Sequence, residues 1–133
     1  MESPSPIEVV AAIIQKQGKF LITKRLERSH LGHCWEFPGG KLHPGESLED
    51  CAVRECREEI DVTIKPLRKV REICHNYPEQ SVRLHFFLCE IVAGTPRPLE
   101  CSDLRWVLPD ELRDYEFPEA DRTIIEELSN PPN

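Results

Sequence analysis

"GGKLHPGESLEDCAVRECREEIDV", residues 39–62, is the stretch that decides the fold. Glycine and proline punctuate its beginning, whereas charged and apolar residues alternate afterwards, so a loop passes directly into a helix. The helix is predicted over 47–60, because Ser47 is a favourable N-cap residue. Apolar side chains then recur at every fourth position, which is the spacing of one helix face: Leu48, Ala52, Cys56 and Ile60.

The glutamates of this helix share the direction of its apolar face. At about 100° per residue, Glu55 and Glu59 lie within about 20° of Leu48, and Glu58 lies at the edge of the same arc. Carboxylates that lose contact with water need a partner, and like charges four residues apart repel each other. A divalent cation would supply that partner, since magnesium prefers carboxylate, water and phosphate oxygens. The alternative is a solvated acidic helix end, paired with the two arginines of the segment.

The turns before the helix favour a metal site. Gly39 and Gly40 predict a turn in which positive φ lets the backbone approach a ligand closely. A backbone carbonyl at this turn is a candidate metal ligand, its N–H groups are candidate phosphate donors, and Lys41 adds a cation beside them. Glycines in a loop are weak evidence alone, but here the glutamate cluster follows at a fixed distance.

The remainder of the chain is rich in predicted strands. They cover 8–14 and 19–25 around a turn at "QKQG", a short stretch at Trp35–Phe37 within the largely irregular segment 28–47, two runs over 70–92 around "NYPEQ", and 104–109. A short helix at "DELRDY" and a last helix over 118–128 follow. The prediction is a hairpin-rich sheet flanked by helices.

Length and charge restrict the function classes. With 133 residues the chain suits one domain, predicted over 7–130 after a flexible tail at 1–6, and residues 130–133 resemble a second tail. The formal net charge of -7 and the pI of about 5.3 argue against binding nucleic-acid polymers through a basic surface. A small phosphorylated substrate stays compatible, because a metal ion can supply positive charge.

Six cysteines are present without a C-x-x-C pair. An even number also suits a secreted disulfide framework, but the acidic, proline-containing N-terminus lacks the basic-then-apolar pattern of a secretion signal. No apolar run approaches the roughly 20 residues that a membrane span needs. The sequence therefore favours a cytoplasmic protein with reduced, mostly buried thiols.

Residues 40–62 resemble the Nudix box, G-x5-E-x7-R-E-U-x-E-E-x-G-U, in which U is a bulky apolar residue. Six fixed positions match over 23 residues, which is too specific a pattern for coincidence: Gly40, Glu46, Arg54, Glu55, Glu58 and Glu59. Two positions depart. Cys56 stands where a larger apolar residue is usual, and Asp61 replaces a glycine that ends the helix in a left-handed conformation, which predicts a local stability cost. The flanking strands and last helix resemble the MutT-like branch.

The resemblance implies a Nudix fold, an α+β sandwich of α/β/α type in which a mixed sheet lies between helices and the box forms a loop–helix–loop motif. It also implies Mg²⁺ or Mn²⁺ bound by Glu55, Glu58, Glu59 and the Gly40 carbonyl. The chemistry implied is substitution at phosphorus by an activated water.

Further residues of the machinery are implied in the same way. Arg54 is expected to orient Glu55 by a charge-assisted hydrogen bond. Glu46 is expected to be a partner of the helix, either structural or linked to the metal through water. A further catalytic carboxylate usually comes from a loop before a late strand, where "ECSDLRW" offers Glu100 and Asp103. Glu100 is favoured, and an ordinary loop role is the alternative for both.

Candidate substrate contacts lie inside and outside the box: Arg25, Phe37, Gly39, Lys41 and Asp121. Asp121 stands where MutT-like proteins read the base. An ionised aspartate only accepts hydrogen bonds, so it suits a base with an amino group or a ring N–H, which both oxidised guanine and cytosine present. The alternative for Asp121 is an exposed acid in the first turn of a helix.

The expected activity is metal-dependent hydrolysis of nucleoside triphosphates to monophosphate and pyrophosphate, in sanitation of oxidised purine nucleotides such as 8-oxo-dGTP. One alternative is a pyrophosphohydrolase for CTP, dCTP and modified pyrimidines. A second is hydrolysis of another nucleoside diphosphate conjugate, and a third is a domain that binds a nucleotide without cleaving it. The expected partner is a small nucleotide, with neither a nucleic-acid polymer nor a membrane, for a monomer or homodimer.

Overall fold

The described part of the chain, residues 5–130 of a computed structural model, begins with four strands and ends with a helix. In chain order the elements are β1 (Ile7–Lys16), β2 (Lys19–Lys24), β3 (Trp35–Glu36), β4 (Gly39–Lys41), α1 (Leu48–Ile60), β5 (Thr63–Asn76), β6 (Ser81–Ala93), β7 (Asp103–Val107), 3-10 helices at Pro109–Asp114 and Glu119–Asp121, and α2 (Arg122–Ser129).

The strands form one mixed sheet that opens in the middle. Its order is β3-β2-β1-β6-β5, with β4 paired to β1 and β7 paired to β2. β1 and β6 run parallel, whereas the other pairs are antiparallel. Within the described chain, β1 and β2 pair at the two positions nearest their turn and then separate. The separation leaves room between β4 and β2 for the Glu59 side chain, which contacts both strands.

Apolar side chains cover both faces of the sheet, because neighbouring residues of a strand point to opposite faces. Val10, Ala12 and Ile14 of β1 pack on the side of α1, while Ala11 and Ile13 pack on the side of α2. This layering confirms the predicted α+β fold, in which a mixed sheet lies between helices.

The helix predicted over 47–60 is confirmed as α1. The Ser47 hydroxyl accepts a hydrogen bond from the Asp50 N–H at 3.1 Å, which caps the first turn. The helix ends at Asp61, whose φ of 58° and ψ of 41° are left-handed. Asp61 therefore adopts the conformation expected of the glycine that it replaces.

The turn predicted at Gly39 and Gly40 is wrong. Both residues belong to β4, where they pair with Ala11 and Val10, and neither has a positive φ. A turn does occur nearer the helix, at Gly45, which has a φ of 78°. The two adjacent glycines serve close packing: a Cβ on Gly39 would overlap the carbonyl of Val10.

Several predicted boundaries also differ. β5 begins at Thr63 and not near 70, and its pairing with β6 is irregular around Pro66, a residue tolerated at bulges of an edge strand. "DELRDY" forms a 3-10 helix, and the last predicted helix starts as a 3-10 turn before α2 begins at Arg122. Strand β7 ends at Val107, two residues earlier than predicted.

Some predictions fall at the edge of the described chain. Residues 1–4 and 131–133 of the predicted tails lie outside it, and the domain limits of 7–130 stay a prediction.

All six cysteines are free thiols and five of them are buried, with Cys74 exposed, as expected for reduced thiols. None of the helices in residues 5–130 is long and apolar enough to cross a membrane.

Candidate active site

Arg54, on the side of α1 that faces β4, collects three carboxylates. Its Nε and Nη2 atoms donate to both oxygens of Glu46 at 2.7 and 3.0 Å, and its Nη1 donates to Glu55 at 2.8 Å and to Glu58 at 3.3 Å. The bond from Arg54 lowers the pKa of the Glu46 carboxyl to about 2. The structure therefore contains the predicted Arg54–Glu55 contact, and it makes Glu46 a partner of the same guanidinium.

Glu59, at the end of α1, is buried and spans the opening of the sheet. Its Oε1 accepts from the Thr23 hydroxyl of β2 at 3.1 Å, and its Oε2 accepts from the Gly39 N–H of β4 at 3.1 Å. Burial, followed by the charge of Glu36, raises the pKa of Glu59 to about 8. Glu59 thus lies on the buried side of the helix, as its angular position predicts.

Glu55 fits against a residue without a side chain. A Cβ on Gly40 would lie 2.6 Å from Glu55 Oε1, well inside contact distance. Burial raises the pKa of Glu55, Arg54 opposes that rise, and the charges of Glu58 and Glu100 add to it. The charges of Glu58 and Glu100 therefore both disfavour the ionised form of Glu55.

The arrangement of these carboxylates bears on the predicted metal site. Within residues 5–130 no three His, Cys, Asp or Glu side chains stand close enough to hold one metal ion. Glu55 and Glu58 are hydrogen-bonded to Arg54. Glu59 is hydrogen-bonded to Thr23 and to the N–H of Gly39. The donor chemistry nevertheless fits a hard divalent cation, since Glu55 and Glu58 share one guanidinium and Glu55 lies against the backbone of Gly40. Their roles as metal ligands stay predictions.

The two candidates for the additional carboxylate have different surroundings. Asp103 Oδ1 accepts from the N–H of Leu104 at 2.8 Å, and its Oδ2 lies 3.5 Å from Arg105. Glu100 is exposed, and its charge reaches Glu55. These surroundings favour Glu100, as the sequence did.

A cavity of about 330 Å³ is lined by Asp121, Arg25 and Lys41, and the main-chain carbonyl of Lys41 accepts a hydrogen bond from Arg54. A second cavity of about 300 Å³ shares these residues and extends to Phe37, Gly39 and Gly40. The structure therefore places the five predicted substrate contacts, which are Arg25, Phe37, Gly39, Lys41 and Asp121, around one continuous opening that ends at Gly40.

Asp121 is 7% exposed, so its interpretation as an exposed helix acid is wrong. The 3-10 turn at Glu119–Asp121 carries it inward, to the cavity that Arg25 and Glu36 also line. Burial raises the pKa of Asp121 to about 7, Glu36 adds to the rise, and Arg25 opposes it. The Arg25 guanidinium is itself paired with Glu36 at 2.9 Å, so little of its charge is left to ionise Asp121.

Residues 9–127 match the NUDIX domain family. The chain belongs to the Nudix family. The CTP pyrophosphohydrolase of Escherichia coli (strain K12) is 35% identical over 120 residues, which are 90% of this chain and 89% of that protein. The 8-oxo-dGTP diphosphatase of Buchnera aphidicola subsp. Schizaphis graminum is 33% identical over 90% of this chain and 91% of that protein. The crystal structure of the MutT protein from Methanosarcina mazei Go1 is 28% identical, with a TM-score of 0.83 over 96% of both chains.

These similarities confirm the predicted family and its MutT-like branch. They also confirm the enzyme class, so the chain is a Nudix pyrophosphohydrolase. The roles of individual residues of the Nudix box are not decided by them and stay predictions.

Sequence reasoning missed several residues of this Nudix site. Thr23 is buried in "FLITK" and Glu36 is half-buried in "WEF". A polar residue inside an otherwise apolar strand is the sequence signal that would have indicated both. Tyr77 and Gln80, at the tip of the β5–β6 hairpin, line the larger cavity. Their sequence carries no signal, because the hairpin reaches the cavity only through the folding of the sheet.

Gly40→Ala tests the fit between the backbone and Glu55. The new Cβ would displace the flexible end of the Glu55 side chain, so we expect a change in stability within about 1 kcal/mol. Misplacement of a reacting group by about 1 Å costs on the order of 10²-fold in rate, so kcat is expected to fall by roughly that factor. Chemical denaturation and steady-state kinetics measure the two effects separately.

Gly39→Ala is the matched control for this change. Its Cβ would overlap the Val10 carbonyl, a rigid backbone atom, so the variant is expected to lose about 3 kcal/mol of stability or more. If Gly40→Ala lost stability as Gly39→Ala does, with no specific loss of kcat, the close approach to Glu55 would be structural alone.

Proposed function

We propose that this protein hydrolyses nucleoside triphosphates to the monophosphate and pyrophosphate with Mg²⁺, and that it removes oxidised purine nucleotides such as 8-oxo-dGTP. One observation carries the proposal. The opening that contains the buried Asp121 extends to Gly40, against which the Glu55 carboxylate lies. A base bound at Asp121 would therefore direct its phosphates towards the acidic end of α1.

The residues of the box have distinct tasks in this proposal. Glu55, Glu58 and Glu59, with Glu100 and the Gly40 carbonyl, would hold the divalent ion. When bound, that ion neutralises phosphate charge and lowers the pKa of a water. Arg54 orients Glu55 through its 2.8 Å hydrogen bond, and Lys41, which borders both cavities, binds phosphate oxygens.

Asp121 is the residue that reads the base. With a pKa of about 7, its carboxyl is partly protonated near neutral pH and can then donate as well as accept a hydrogen bond. A neutral carboxylic acid pairs with an edge that presents one donor beside one acceptor. The N7–H and O6 of 8-oxoguanine form such an edge, whereas the N7 and O6 of guanine are both acceptors. Asp121 would thereby favour the oxidised base.

Cytosine is the second candidate base. Its N3 acceptor and N4 amino group offer the same pairing to a neutral carboxylic acid. The similarity to a CTP pyrophosphohydrolase, at 35% identity, favours this alternative specifically.

A comparison of kcat/KM for 8-oxo-dGTP, dGTP, dCTP, CTP and dTTP tests the proposal. We expect 8-oxo-dGTP to exceed dGTP by roughly 10²-fold, because guanine leaves a buried polar group unpaired. A preference for dCTP or CTP would establish the second candidate. Equal rates for all five nucleotides would contradict the role of Asp121.

Two further outcomes would replace the proposal. Nucleotide binding by calorimetry without pyrophosphate release would indicate a binding domain. Turnover confined to nucleotide sugars, dinucleoside polyphosphates or RNA 5′ ends would indicate another conjugate.

Cytoplasmic location and a monomeric or homodimeric state belong to the same proposal, and sedimentation measures the oligomeric state.

A further inference from the structure

The segment that joins β6 to β7 is bound along the C-terminal end of α1. The N–H of Arg97 donates to the Ile60 carbonyl at 2.9 Å, and the N–H groups of Leu99 and Glu100 both donate to the Glu59 carbonyl, at 3.0 and 3.1 Å. These carbonyls belong to the last turn of α1, and the last carbonyl groups of a helix have no hydrogen-bond donors within the helix. Glu100 is thus held directly beside the residue that ends the acidic cluster.

The residue at the box glycine position takes part in this attachment. Arg97 Nε donates to Asp61 Oδ2 at 3.0 Å, a contact that glycine cannot make. Gly94 completes the approach, since it has a φ of 92° and a Cβ there would lie 3.0 Å from the Asp61 carbonyl oxygen. Asp61 therefore has a local conformational cost but gains a cation from the segment that carries Glu100.

Glu100 lies next to the site, because its N–H donates to the carbonyl of Glu59 at 3.1 Å. Its charge contributes to raising the pKa of Glu55, although Glu100 itself is exposed. An exposed side chain on an irregular segment keeps its place only if the segment is fixed. The main-chain bonds fix the segment at Arg97–Glu100, and the Asp61–Arg97 pair holds its beginning.

We propose that Asp61 and Arg97 form a clasp that positions Glu100 at the divalent-cation site. The clasp rests on the proposed function, because that function gives Glu100 its role. It also explains the departure of this chain from the Nudix box: the aspartate exchanges the conformational freedom of glycine for a charged contact to the segment after β6.

The test is a double-mutant cycle between Asp61→Asn and Glu100→Gln. Asparagine tolerates the left-handed conformation, so the first change removes the charge and leaves the backbone in place. The measurements are the Mn²⁺ dissociation constant without nucleotide, kcat, and hydrogen exchange of the amides of residues 97–100. We expect Asp61→Asn to weaken Mn²⁺ binding about three- to fivefold, to speed exchange, and to have no further effect on Mn²⁺ binding in the Glu100→Gln background.

Controls separate the clasp from general effects. Arg97→Gln removes the same contact from the other side and should reproduce the result, which also covers the case that Asp61→Asn folds poorly. Glu126→Gln removes an exposed ion pair with Arg122 on α2 and should change none of the three measurements.

Two outcomes overturn the clasp. If the effects of Asp61→Asn and Glu100→Gln on Mn²⁺ binding multiply, Asp61 does not act through Glu100. If Glu100→Gln alone leaves Mn²⁺ binding unchanged, Glu100 has no place at the site. In both cases, failure of the proposed function remains separately visible, because it is tested by turnover of the nucleotide panel.

Discussion

Glu58→Gln is expected to lower kcat by roughly 10²–10³-fold, because metal-ion catalysis supplies several kcal/mol of transition-state stabilisation and each 1.36 kcal/mol is tenfold in rate. The change keeps the size of the side chain and removes only its charge. The Glu58 side chain is 48% exposed and its ion pair to Arg54 is 3.3 Å long, so the fold should be unaffected. Pyrophosphate release at saturating Mg²⁺ measures the effect, and thermal unfolding verifies the fold.

Glu49→Gln is the matched control for this result. Glu49 lies exposed in the first turn of the same helix, remote from the acidic end, and its replacement removes the same charge. We expect its kcat to equal that of the unmodified protein. If Glu58→Gln turned over as fast as Glu49→Gln, metal-dependent hydrolysis at this site would have to be abandoned.

Asp121→Asn is expected to stabilise the protein at pH 8 and to change its choice of base. Asp121 has a pKa of about 7 when folded, against an ordinary value of 3.8, so the folded state binds its proton more tightly. The free energy of unfolding therefore declines as the pH rises from about 4 to about 7, because the buried Asp121 must ionise. Above pH 7 the full cost of ionising Asp121 in the folded state persists. The difference between the two pKa values of Asp121 corresponds to roughly 4 kcal/mol. We expect the unfolding free energy of the variant at pH 8 to exceed that of the unmodified protein by about 2 kcal/mol or more.

Urea unfolding at pH 4, 6 and 8 measures this difference between the two proteins. It should be small at pH 4, which lies near the ordinary pKa of 3.8 and well below the folded-state pKa of about 7, and largest at pH 8. Asp110→Asn, an exposed aspartate on the 3-10 helix after β7, should show no such trend. A constant difference across the three pH values would mean that Asp121 is not buried as a neutral acid.

The choice of base is measured in the same Asp121→Asn variant. If the ratio of 8-oxo-dGTP to dGTP turnover loses its pH dependence, base reading by Asp121 is supported.

The position and the buried face of α1 were predictable, because the residues that define them follow a fixed local spacing. Ser47 marked the start of α1, the recurrence of Leu48 and Ile60 marked its buried face, and the angular position of Glu59 indicated that it would be buried. These are local relations, which the sequence contains directly.

The remaining features depend on contacts between distant residues. Gly39 and Gly40 resembled a turn, but the carbonyl of Val10 and the carboxylate of Glu55 require residues without a Cβ in an extended strand. Asp121 resembled a solvated acid, and only the inward 3-10 turn before α2 buries it. Thr23 could not be recognised as a partner of Glu59, because 36 residues separate them and the opening of the sheet brings them together.

The distribution of the cysteines gives the protein a property of practical use. Burial raises the pKa of the thiols of five cysteines, which removes both access and thiolate character: Cys34, Cys51, Cys56, Cys89 and Cys101. Cys74 on β5 is exposed. The folded chain therefore offers one natural attachment point for a fluorophore or spin label, without prior removal of other thiols. Because four of the protected thiols line the core between the sheet and α1, the number of thiols that react also reports the opening of that layer.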